Sequence, residues 1–252
     1  MKIDTRNCHP FLGAAMQAVM GSHPKREQDK RFASVTELLN PPRITVLQWR
    51  HEDEIEADAD EVVDLFLGSA IHAVIAQHAG ALGACELRLG ITHDGVLITG
   101  GVDAILWGDV KRGACISDFK IVRAFSVVYK SSYDNWAAQL NIYRKMVEHN
   151  YPNTKVTTLT NELVLKDWAA KEAGSTKGTY KGNSTYPKSP LVTVAQPLWR
   201  AQKTDDYMSR AIAALKEADA RPDDALPQCS PDDNWQGRRC TRCPVKNWCT
   251  QA

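Results

Sequence analysis

A mixed α/β domain, with a central and mainly antiparallel sheet flanked by helices, is the fold class that this 252-residue sequence predicts. Three observations carry the prediction. Apolar residues recur at helical intervals at 60–77 and at 134–149. Three strand-like runs at about 84–92, 96–107 and 114–122 are separated by the turn signals His93-Asp94-Gly95 and Lys111-Arg112-Gly113, which predicts an antiparallel meander. With 43% hydrophobic and 24% charged residues, the chain has the composition of a soluble globular protein with a full-sized core.

In chain order, the first third reads as helical. PFLGAAMQAVM at 10–20 has apolar residues at helical spacing, Ser34 to Glu37 forms a candidate capping box, and LNPPR at 39–43 breaks the chain. The helix from Asp60 to about Gln77 carries Gly68 and His72, one turn apart and so on one face. The meander follows, then DNWAAQLNIYRKMVEH at 134–149 as an amphipathic helix and VTTLTNELVLKDW at 156–168 as a strand. Residues 169–190, rich in Gly, Ser, Thr and Lys, read as a mobile basic loop, and about 197–220 as a helix leading into a cysteine tail. The expected organisation is one domain: a helical part at 1–57, a core at 58–168, the loop at 169–190, and a C-terminal helix and tail at 191–252. No window has the roughly 18 apolar residues of a membrane span, and the first residues lack a signal peptide's apolar core, so the expected location is cytoplasmic. A net charge of +1 gives no global attraction to polyanions; any such site must come from local clustering.

The stretch Ile116-Ser117-Asp118-Phe119-Lys120 carries the chemistry. Strand alternation sends Asp118 and Lys120 to one face and Phe119 to the other. Asp103, on the preceding strand, supplies a second carboxylate, and two carboxylates on adjacent strands suit Mg²⁺ or Mn²⁺, hard cations that prefer oxygen ligands. Phosphodiester cleavage needs such a cation beside the phosphate and a water made nucleophilic next to it. Lys120 would orient that water or stabilise the developing anion, and the Phe119 carbonyl would add a ligand. Taken alone, an Asp-x-Lys triplet is ordinarily a surface salt bridge.

The wider set of motifs changes that balance. Gly68-Ser-Ala-Ile-His72, Gly100-Gly-Val-Asp103-Ala-Ile105, Ser117-Asp-Phe-Lys120 and Gln139-Leu-Asn-Ile-Tyr143 together resemble the PD-(D/E)XK nuclease superfamily, most closely its RecB-like branch, which includes CRISPR-associated and recombination-type iron-sulfur exonucleases. The resemblance implies a restriction-endonuclease-like core. It implies that His72, Asp103 and Asp118 bind the catalytic metal, that Lys120 is the catalytic lysine, and that Gln139 and Tyr143 position the DNA or the lysine. Val102 stands where the superfamily's name has proline, a departure that removes no ligand. Glu86 lies on the first strand, where the family often carries an acid, but its spacing does not show that it faces the site.

Four of the seven cysteines crowd the tail: Cys229, Cys240, Cys243 and Cys249. Four thiolates suit a [4Fe-4S] cluster or Zn²⁺. The Cys240, Cys243 and Cys249 run resembles the tail of iron-sulfur RecB-like nucleases, which puts the iron-sulfur cluster ahead of zinc. That family usually draws a fourth cysteine from before the core, where only Cys8 stands, but Cys229, close in sequence to the other three, is the expected fourth ligand here, with Cys8 as its substitute. The expected role is structural, clamping a loop-rich tail. Cys85 and Cys115 fall in strands and read as buried small hydrophobes. In the basic loop, Lys177, Lys181 and Lys188 with Tyr180 and Tyr186 are candidates for phosphate contact and base stacking. The function that the RecB-like resemblance implies is metal-dependent DNA cleavage, exonucleolytic, on single strands or ends. The alternatives are an endonuclease on structured DNA and a non-catalytic DNA-binding or assembly subunit, against which the intact Asp103, Asp118 and Lys120 set argues.

Overall fold

A computed structural model describes residues 2–4, 6, 10–21, 32–108, 113–175, 185–233 and 239–250. The chain forms two compact units: Met1–Ser69, Thr92–Ile98 and Asp206–Ala252 make one, and Ala70–Ile91 with Thr99–Asp205 make the other. The elements run β1 (Lys2–Asp4), α1 (Pro10–Gly21), β2 (Phe32–Ser34), α2 (Val35–Leu39), α3 (Pro42–Arg50), β3 (Glu56–Asp58), α4 (Ala59–Ala79), β4 (Ala84–His93), β5 (Val96–Leu106), β6 (Ala114–Val122), α5 (Ala124–Tyr129), α6 (Tyr133–Asn150), β7 (Val156–Leu165), β8 (Leu191–Ala195) and α7 (Ala201–Asp219). The architecture is mixed α/β, as expected. Among the described residues no helix is long and apolar enough to cross a membrane.

The main sheet has the order β2-β5-β6-β7-β8, with β4 also pairing β5. β5 and β6 are antiparallel, Ala104 opposite Ser117, and β7 and β8 are antiparallel. β6 and β7 are parallel, with Asp118 opposite Asn161. A parallel pair needs a crossover, and α5 with α6 supplies it. α6 buries Leu140, Ile142, Met146 and Val147 completely. At about 1.5–3 kcal/mol for each large apolar side chain removed from water, that face fixes the helix on the sheet. Buried Asn141 seals the next connection, donating to the Pro197 carbonyl at 2.9 Å and accepting from the Trp199 amide at 2.8 Å.

Three expectations are revised here. The strand expected at 156–168 ends at Leu165, and the segment opening the expected C-terminal helical part begins instead with β8. Its sequence, Leu-Val-Thr-Val-Ala, is β-branched and pairs with β7 through Val164 opposite Leu191. The first third is also not purely helical, because β1, β2 and β3 interrupt it.

In the unit containing both chain ends, Ser34 caps α2 as the sequence predicts: its side chain accepts from the Glu37 amide and Glu37 reaches back to the Ser34 amide. Pro42 opens α3, where its missing N–H costs nothing. Ile44, Val46 and Leu47 of α3 pack with Ile55, Ala218, Leu226, Cys243 and Val245, so the tail shares a core with α3. Arg50 donates to the carbonyls of Asp219 and Arg221, satisfying the end of α7.

Candidate active site

The site is built within the second unit from α4, β4, β5, β6 and α6. On β6, Asp118 and Lys120 share a face, as strand alternation requires, and Lys120 Nζ donates to Asp118 Oδ1 at 2.8 Å. Asp118 is 1% exposed, so this is no surface salt bridge. Its other oxygen accepts from Asn161 Nδ2 at 2.8 Å, and Asn161 Oδ1 accepts from Gln196 Nε2 at 2.9 Å. Asn161 and Gln196 are both buried. A continuous hydrogen-bonded row across β6, β7 and the end of β8 therefore holds the carboxylate in one orientation.

Asp103, nearly buried on β5, accepts from the Phe119 amide at 2.8 Å. Burial, reinforced by the neighbouring Asp118 charge, pushes its carboxyl up to about 7, although His72 and Lys120 oppose the rise. His72 on α4 places Nδ1 2.9 Å from Glu86 and 3.6 Å from Asp103, and Nε2 3.3 Å from the Phe119 carbonyl. The hydrogen bond with Glu86 raises the His72 pKa, outweighing burial, and the charges of Asp103 and Glu86 add to the rise. One ligand atom each from His72, Glu86 and Asp103 lie within 4.8 Å of one another.

Glu86 joins this group through its backbone. It sits at φ +51° in the left-handed region, rare for a residue with a side chain and costing of the order of 1–3 kcal/mol, so its side chain leaves the ordinary strand alternation. On α6, Gln139 donates to the Tyr143 hydroxyl at 3.2 Å. Tyr143 is buried, and burial, with the nearby charges of Asp118, Asp103 and Glu86, raises its pKa, so the neutral phenol faces the acids. Among the described residues, an added Cβ at Gly68 would meet nothing within 4 Å.

The structure thus brings His72, Asp103, Asp118, Lys120, Gln139, Tyr143 and the Phe119 carbonyl to one place. It adds Glu86 and Asn161. The donor set suits a divalent cation: a carboxylate raised to about 7 beside a second carboxylate marks an acidic site short of positive charge.

The basic-loop candidates divide. Lys177, Tyr180 and Lys181 lie outside the described residues, as does Cys8, and Lys188 is exposed. Tyr186 corrects the expectation of base stacking: it is 3% exposed, packed with Ala124, Trp136, Leu163 and Leu165. Its hydroxyl accepts from the Ala169 amide at 2.8 Å and donates to the Asp167 carbonyl at 3.3 Å. Backbone bonds between Gly174 or Ser175 and Tyr186 tie the base of the segment. A different aromatic pair is exposed. α5 buries Ala124 and Val128 and presents Phe125 and Tyr129, whose rings lie 4.4 Å apart, with exposed Arg123 and Lys130 at either end.

In the tail, Cys229, Cys240, Cys243 and Cys249 form no disulfide among the described residues. Burial pushes Cys229 up to about 11, with Cys249 and Cys243 adding to the rise, and Cys243 is raised by burial, with Cys249 and Cys240 adding. Cys249 lies near both Cys229 and Cys243, Cys240 lies near Cys243, and Arg239 opposes both shifts. Cys229, Cys243 and Cys249 pack on one core, but among the described residues no three of the four sulfurs lie within 4.8 Å of one another; thiols remain the donor type of a thiolate-held metal. Cys85 and Cys115, expected to be buried, are half-buried instead.

The family model of the PD-(D/E)XK nuclease superfamily matches residues 11–250. The chain belongs to the PD-(D/E)XK nuclease superfamily. Among solved structures, SSO0001 is similar over 96% of this chain and 97% of its own, at 16% identity and a TM-score of 0.58, a likeness of fold. A provisionally assigned exonuclease from Eubacterium rectale aligns over 90% of this chain and 74% of its own, at 12% identity and a TM-score of 0.32, which carries no argument. No curated protein matches.

Proposed function

We propose that this PD-(D/E)XK protein is a Mg²⁺- or Mn²⁺-dependent deoxyribonuclease acting exonucleolytically on single strands or DNA ends. The observation that carries the reading is the acidic group of His72, Glu86 and Asp103 beside the Asp118–Lys120 pair. His72, Glu86, Asp103 and Asp118 would hold the cation, with the Phe119 carbonyl in reach. A bound divalent cation supplies charge neutralisation at the phosphate and lowers the pKa of bound water. Lys120, steered by Asp118, orients the attacking water and stabilises the anion that develops on the phosphate. Asn161 and Gln196 keep Asp118 turned toward that work, and Gln139 with Tyr143 lines the far side.

Phe125 and Tyr129 support a single-strand reading, since exposed rings flanked by Arg123 and Lys130 suit stacking on unpaired bases and contact with phosphates. In the tail, the four cysteines would hold a [4Fe-4S] cluster, with Zn²⁺ as the alternative occupant, and the bound metal's role is to fix the tail on its core.

Incubating the purified protein with end-labelled single-stranded, double-stranded and circular DNA, with Mg²⁺, Mn²⁺ or EDTA, tests the reading. Metal-dependent release of short products from labelled ends is expected. Nicking of circles would favour the endonuclease. DNA retention without cleavage in either metal would replace catalysis with the binding or assembly role.

A further inference from the structure

Arg43, on α3, is 1% exposed. A guanidinium stays protonated in proteins, so this is a buried positive charge. Nη1 donates to the Leu226 carbonyl and Nη2 to Thr250 Oγ1, both at 2.6 Å. Nε donates to Cys249 Sγ at 3.2 Å. Among the described residues no carboxylate pairs with it. Burying a charge with neutral partners alone is costly, and a protonated thiol is a weak acceptor with no charge to return. The partner sulfur belongs to the four-cysteine tail, which shares its apolar core with α3.

We propose that Arg43 is the counter-charge of an anionic, thiolate-held metal centre in the tail, donating a hydrogen bond to the metal-bound sulfur of Cys249. The proposal deepens the four-cysteine reading above and rests on it. Metal binding converts the thiols to thiolates, and four thiolates leave a net negative centre around either zinc or an iron-sulfur core. Arg43 then changes from an uncompensated cation into half of an ion pair. It acts as a positioning residue that couples the N-terminal helix α3 to metal loading.

The test compares wild type, Arg43→Met and Arg43→Lys, each metal-loaded under anaerobic conditions and each metal-free after chelation. Metal content and visible sulfur-to-iron absorption of the wild type are read first. A wild type that takes neither iron nor zinc overturns the four-cysteine reading, and this proposal with it. With a loaded wild type, Arg43→Met is expected to lose metal to a chelator about 10–100-fold more readily, as outer partners of metal ligands do when removed. Its Tm should fall in the loaded form and hold or rise in the metal-free form, because methionine there replaces an uncompensated charge. Arg43→Lys, which keeps charge but not the fork, should retain metal better than Arg43→Met. Equal Tm losses in loaded and metal-free Arg43→Met would reduce Arg43 to a brace between Leu226 and Thr250, overturning the counter-charge role while leaving the metal reading intact. If Arg43→Met does not accumulate folded, the lysine variant decides: metal retention near wild type supports the role, and matched losses of metal and of metal-free stability overturn it.

Discussion

The carboxylate site and the cysteine tail carry opposite charge imbalances. Around β6, three carboxylates face Lys120 and one histidine, and Asp103 answers by holding its proton up to about pH 7. In the tail, a buried guanidinium meets one cysteine sulfur, a carbonyl and a hydroxyl, and no carboxylate among the described residues. A surplus of buried acid calls for a cation, and a surplus of buried cation calls for thiolates. Reading which sign is left over indicates what each place is built to hold.

The largest effect should follow from breaking the catalytic half of this contrast. Lys120→Met keeps most of the side chain's length and removes its charge. Turnover should fall by about 10²-fold or more while metal binding persists, measured by single-turnover cleavage beside a Mn²⁺ titration. Unchanged turnover would make Lys120 a structural partner of Asp118.

Asn161→Ala should have the next largest effect. It removes one of the two hydrogen bonds on Asp118 and leaves Gln196 without its partner. Cleavage should fall about 10–100-fold, as when a partner of a metal ligand is lost, and the Mn²⁺ concentration for half-maximal activity should rise. A stability loss with normal metal dependence would confine Asn161 to the core.

Both effects depend on features that differ in legibility. Asp118 and Lys120 were readable because strand period alone puts them on one face. Glu86 was not, because its positive φ breaks the period that would locate it. Asn161 faces Asp118 through a parallel register that exists only once α6 has crossed over the sheet. Arg43 reaches Cys249 across 206 residues of sequence. The meander and α6 followed from turn signals and apolar spacing, whereas β8 was hidden in a segment read as the approach to a helix, despite its β-branched residues. Tyr186 looked like a stacking residue because its neighbours in sequence are lysines and glycines; its burial is set by Trp136 and Leu163, distant in the chain.

Tyr186→Phe tests that last point with a smaller effect. Loss of the hydroxyl's bonds to Ala169 and Asp167 should lower stability by about 1 kcal/mol in a denaturant titration and leave single-strand affinity unchanged. Weaker DNA binding at unchanged stability would return Tyr186 to the substrate surface.

The smallest effect concerns pH, near the tail. His51 stacks on Trp248 and faces Glu54 and Asp223. Burial lowers its pKa, but the two carboxylates outweigh burial and the net shift is upward. A raised folded pKa gives stability that is complete below the ordinary histidine value of 6.5 and lost as pH rises through the folded value. Asp223 is lowered, first by Arg50 and then by His51, so its contribution is present above the ordinary 3.8 and lost as pH falls through its folded value. The Tm difference between wild type and His51→Gln should therefore shrink from pH 6 to about pH 8. A difference that grows with pH would contradict the network.

The most direct test of the central claim is cleavage of end-labelled DNA by wild type and Asp118→Asn, followed alongside Mn²⁺ binding and Tm. The variant keeps the shape that Lys120 and Asn161 pack against but removes the charge. The account predicts cleavage by wild type that requires the cation and stops in EDTA, and a folded Asp118→Asn with cleavage reduced by about 10²-fold or more. Full cleavage by Asp118→Asn, or wild-type cleavage that persists in EDTA, would contradict it.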